Sequence, residues 1–89
     1  MAEDKLVFHI KDYGKIHVKL KQYLDSKNIK RGNLAASTKT YFEVIDKWCN
    51  NNVERMDLDV LARICYVLNC KVEDIIEYKE HSEEENQTL

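Results

Sequence analysis

The stretch DLDVLARICYVLNC, residues 57–70, constrains the fold of this chain more than any other. Leu58, Leu61, Cys65 and Leu68 fall at i, i+3, i+7 and i+10, and Ile64 widens the stripe, which is the period of one helix face. Asp57 stands where its carboxylate caps a first turn, and Asn69 enters readily the left-handed conformation of a helix stop. A helix with one apolar side needs neighbours to cover it. At 89 residues the chain buries about 60% of its unfolded surface, enough for one small core. With no Pro, only Gly14 and Gly32, 44% hydrophobic and 34% charged residues, the composition predicts an all-α fold of short helices.

The rest of the chain supplies those neighbours. Ile16, Leu20, Tyr23 and Leu24 recur at helical spacing, predicting a first helix that ends near Asn28. Leu34 and Ala35 seat a short second helix. After Lys39 and Thr40, the residues Tyr41, Val44, Ile45 and Trp48 form one face of a third, which the triplet Asn50, Asn51 and Asn52 stops. Residues 57–69 are the fourth. The segment VEDIIEY predicts a fifth, with Val72, Ile75 and Ile76 inward. The expected organisation is a compact five-helix bundle over residues 15–78, preceded by an arm at 1–14 with a short extended piece in KLVFHIK, and followed by an acidic, disordered tail at 79–89.

The net charge of −2 hides an uneven distribution. Residues 1–40 hold nine Lys/Arg against four Asp/Glu, or +5; residues 41–89 hold five against twelve, or −7. The stretch 26–42 carries Lys27, Lys30, Arg31 and Lys39 and no acid. From spacing alone, such a run is as readily a solvated face as a surface for a polyanion.

Several functions are disfavoured. No apolar run approaches the ~20 residues that cross a bilayer, and no secretory signal pattern opens the chain, so a cytoplasmic protein without a membrane partner is expected. Cys49, Cys65 and Cys70 show no C-x-x-C spacing, and His9, His17 and His81 share no ligand spacing with them, so neither a metal nor another cofactor is assigned. No Gly-rich phosphate loop, H-E-x-x-H or nucleophile motif stands out, so no enzyme is expected.

Counted from Arg31 as its first place, the Leu34 to Trp48 stretch meets the demands of two helices crossed over a short turn. The fourth place is apolar Leu34 and the fifth is small Ala35, where the second helix crosses closely; Ile45 and Trp48, at the fifteenth and eighteenth, plug the core. These residues, together with LDVLARICYVLNCKVEDIIEY, resemble the Cro/repressor-like (xenobiotic-response-element) helix-turn-helix family over about residues 16–78. The turn departs from the family pattern: Lys39 stands where Gly is usual, Thr40 where an apolar residue is usual, and Lys30 where a hydroxyl residue caps the second helix.

The resemblance implies a lambda-repressor-like fold and a sequence-specific transcriptional regulator that binds double-stranded DNA, as a homodimer meeting half-sites one turn apart. It implies that Tyr41, Phe42, Glu43, Asp46 and Lys47 face the major groove. Lys30, Arg31, Lys39 and Thr40 would bracket the phosphates of the second helix and its turn, with Asn50 in the loop after the third helix. Glu43 and Asp46 would repel phosphate but can accept from a cytosine amino group, and Phe42 or Tyr41 can meet a thymine methyl. The alternative is an adaptor of antitoxin or antirepressor type, with a protein partner on the same scaffold; the two acids and an outward Phe42 favour it. The dimer surface would be the N-terminal arm or the fifth helix with Ile75, Ile76 and Tyr78.

Overall fold

The computed structural model describes residues 13–81. Most of the arm expected at 1–14 and of the tail expected at 79–89 lies outside them. Strand β1 (Lys15–Val18) leads into α1 (Leu20–Lys27), α2 (Arg31–Thr38), α3 (Phe42–Cys49), α4 (Leu58–Leu68) and α5 (Val72–Ile75), and β2 (Ile76–Lys79) returns to β1. The five expected helices are present, but the fold is not purely helical. The strands pair antiparallel, Lys15 opposite Lys79 and Val18 opposite Ile76.

The sheet corrects two expectations. The first helix starts at Leu20 rather than Ile16, because Ile16 and Val18 alternate with Lys15 and His17 and find strand partners in Tyr78 and Ile76. The fifth helix stops at Ile75, where Ile76 turns extended (φ −133°, ψ 154°) and enters β2. Two hydrogen bonds join the sheet to the bundle and to itself. The Lys19 N–H donates to the Ile75 carbonyl at 2.6 Å, and the Gly14 N–H donates to the Tyr78 hydroxyl at 2.8 Å. Gly14 is needed for room. A Cβ there would lie 1.7 Å from the Lys79 carbonyl oxygen, inside any van der Waals limit.

Every helix gives the core at least one side chain sealed from solvent: Leu20 and Leu24 from α1, Leu34 from α2, Ile45 from α3, Ile64 from α4 and Ile75 from α5. Burying each such side chain contributes roughly 1.5–3 kcal/mol. Trp48 is buried and closes the α2–α3 crossing together with Ala35. Some apolar positions expected inside are outside. Tyr41 precedes α3 as its N-cap and is 80% exposed, Leu58 opens α4 and is 75% exposed, and Val72 opens α5 in the open. All three stand at helix starts, where the next elements have not yet closed over the stripe. Cys65, Leu68 and Ile76 are half-buried against the core.

The helix ends follow the residue types. Asp57 accepts from the Asp59 and Val60 backbone N–H groups, capping α4 as its position predicts. Asn28 and Asn69 stop α1 and α4 in the left-handed region, with φ of 57° and 51°. Lys39 does the same for α2 at φ 56°, without the tolerance of Asn or Gly.

Candidate nucleic-acid interface

The α2–α3 crossing sets the geometry of the site. The α2 N-cap, Lys30, has extended backbone and no side-chain cap, and no acid stands in the first turn, so the first N–H groups and the positive end of the helix dipole stay open. The Arg31 Nη1 donates to Asp46 Oδ1 on α3, and reaches Asn50 Oδ1 at 3.3 Å. Asn50 in turn donates to Asp46 Oδ2 at 3.4 Å. The start of α2 is therefore held against the C-terminal half of the outer face of α3. Asp46 also pushes the Arg31 guanidinium pKa up, so its charge is permanent.

The pair is part-exposed on both sides, and such pairs stabilise by only about 0.2–1 kcal/mol. Its consequence is positional. It fixes where the Arg31 charge sits and cancels one of the two acids of α3. Glu43 has no ion-pair partner among the described residues and stands in the first turn of α3. There it favours the uncapped helix N-terminus by about 0.3–1 kcal/mol, which is a structural reason for an acid on this face.

At the other end of α3 lies the turn. Lys39 is exposed and Thr40 half-buried, with the Thr40 N–H bonded to the Ala35 carbonyl at 2.9 Å and its hydroxyl donating to the Thr38 carbonyl at 3.3 Å. Tyr41 and Phe42 follow, 80% and 50% exposed, and Lys47 lies exposed further along. The ten sequence-derived positions thus fall into two groups: Lys30, Arg31, Asp46, Lys47 and Asn50 around the start of α2 and the end of α3, and Lys39, Thr40, Tyr41, Phe42 and Glu43 at the turn. About 12 Å of helix separates the two ends of α3.

Two supporting residues, Arg63 and Thr38, escaped the sequence reading, and a third, Asn51, entered it only within the triplet that stops α3. Arg63 on α4, paired with Asp59 at 2.9 Å, also donates to the Thr38 and Lys39 carbonyls at 3.3 and 3.5 Å, backing the turn from behind. The Asp59 spacing signals its helix pair; its reach to the turn depends on the fold. Thr38 is buried and donates to the Leu34 carbonyl at 2.8 Å. Asn51 accepts from the Val18 N–H at 2.9 Å, tying the loop after α3 to the sheet.

The Cro/C1-type helix-turn-helix DNA-binding domain model matches residues 19–81, all five helices and β2. The chain belongs to this family. No curated protein sequence matches it. A crystal structure of a candidate DNA-binding protein from Bacteroides fragilis superposes with a TM-score of 0.63 at 24% identity, covering 71% of this chain and all of that one. At that identity the likeness concerns the fold. Within the family frame, α2 and α3 are the helix-turn-helix, and no helix among the described residues is long and apolar enough to cross a membrane.

Proposed function

We propose that this Cro/C1-type protein is a cytoplasmic transcriptional regulator that binds double-stranded DNA sequence-specifically as a homodimer, with α3 in the major groove. The observation that carries the reading is the Arg31–Asp46–Asn50 cluster. It places the open start of α2, with Lys30 and Arg31, on the same surface as the outer side of α3. Phosphate recognition needs cations and free backbone donors at one edge of a groove-reading helix, and this edge offers both. Lys39 supplies a second cation at the turn, leaving Tyr41, Phe42 and Glu43 to meet base edges. In this reading Asp46 acts on DNA through Arg31, because both of its carboxylate oxygens are already engaged. No catalytic step is part of the function.

The experiment is selection from random duplex DNA with the purified chain at low salt, followed by salt titration of the winning sequence. An enriched inverted repeat is the expected result, with a log–log salt slope of about −0.9 per phosphate contact. No enrichment, with no duplex affinity at low salt, refutes DNA recognition. It would promote the adaptor reading, in which exposed Tyr41 and Phe42 beside Glu43 form a protein-binding surface.

A further inference from the structure

The stop of α4 brings together two thiols that the DNA-facing surface does not use. Asn69 takes the left-handed conformation, its N–H bonds the Tyr66 carbonyl at 3.2 Å, and the Cys70 N–H bonds the Cys65 carbonyl at 3.1 Å. This pair of bonds is the Schellman helix stop, in which the residue just past the turn folds back over the one five positions earlier and their side chains touch. Here both of those residues are cysteines. The 3.1 Å backbone bond holds the two residues side by side, and both are only half-buried, within reach of a small molecule. Cys49, the third thiol, is buried on α3.

We propose that Cys65 and Cys70 form an oxidative modification site, a dithiol that hydrogen peroxide converts to an intramolecular disulfide across the α4 stop. The Cys65 thiolate attacks one peroxide oxygen and breaks the O–O bond, giving a sulfenic acid and hydroxide, which leaves as water after protonation. Cys70 then gives up its proton and attacks the Cys65 sulfur. The S–O bond breaks, a second water leaves, and the S–S bond forms. Two thiols and one peroxide become one disulfide and two waters, with both electrons accepted by the peroxide.

The surroundings assign the order of steps. Burial first, then the neighbouring Cys65 and Asp74 on α5, push the Cys70 thiol up to about 11, against a weaker opposing effect from the Tyr23 phenol on α1. Cys70 therefore stays protonated at neutral pH and serves as the resolving thiol, with Cys65 as the attacking one.

The test treats the folded full-length chain with hydrogen peroxide and maps it by trypsin and mass spectrometry. Cleavage after Arg63 and Lys71 leaves both thiols in one peptide, residues 64–71. The expected product is that peptide lighter by two hydrogen atoms and restored by dithiothreitol. Neither Cys65→Ser nor Cys70→Ser should give it, and Cys70→Ser should hold a sulfenic acid at Cys65 that dimedone traps. A disulfide through Cys49, sulfinic acids at both positions, or an unchanged peptide under conditions that oxidise the denatured chain would each overturn the proposal.

Discussion

Two places in this molecule bring backbone close to backbone, and they treat side chains in opposite ways. At the α2–α3 turn the chain goes left-handed at Lys39, where glycine would relieve the backbone, and keeps a long cationic side chain instead. At the mouth of the sheet, Gly14 has no positive φ, yet any Cβ would strike the Lys79 carbonyl. The difference is between a torsional cost and a steric one. A left-handed residue costs about 1–2 kcal/mol, which a marginal domain tolerates, and Arg63 steadies the adjoining carbonyls. Overlap with a fixed backbone atom has no such soft route, since the strand itself must move.

Gly14→Ala tests the steric side and should have the largest effect. Forcing the Lys15 to Lys79 end of the sheet apart should destabilise by about 1–3 kcal/mol or more. The urea midpoint measures it; an unchanged midpoint would mean that this close approach is not maintained in solution. Arg63→Ala comes next. Loss of its bonds to the Thr38 and Lys39 carbonyls and of the Asp59 pair should lower stability by about 1 kcal/mol. Faster amide exchange should appear at Lys39 and Thr40, and exchange that speeds up uniformly across the chain would break the link to the turn.

Lys39→Gly sharpens the torsional side by separating strain from charge. It should raise stability by up to about 1 kcal/mol through relief of the left-handed backbone, less the entropy that glycine loses on folding. Under the proposed function it should also shallow the salt slope of duplex binding by about 0.9. A variant that is both more stable and equally tight on DNA would remove Lys39 from the phosphate contacts. The smallest effect is expected for Glu43→Gln. It should cost the α3 N-terminus a few tenths of a kcal/mol in thermal unfolding while raising non-specific duplex affinity.

Legibility in the sequence follows the range of each interaction. The α4 stripe, the Asp57 cap, the Asn28 and Asn69 stops and the Leu34–Ala35–Ile45–Trp48 crossing depend on spacings within one or two turns, and the structure contains them. Ile16 misled because it fits a helical spacing with Leu20 and equally a strand alternation with Val18; its partner is Tyr78, at the other end of the domain. In the site, the places of the candidate residues along α2, the turn and α3 are local and could be read off the chain, except that of Tyr41, which stands exposed before α3 rather than on its inner face. That Arg31 joins Asp46, fifteen residues away, could not.

By itself the sequence determined where α4 starts, where most of the helices stop and which two cross, since those depend on the 3.6-residue period and on the backbone preferences of Asn, Asp and Ala. Only the tertiary structure decided that both ends of the domain become strands, that Gly14 is the one glycine with a steric necessity, and that the start of α2 is anchored on α3. Strand pairing, backbone clearance and ion pairs each need a partner whose position is set by every element folded in between.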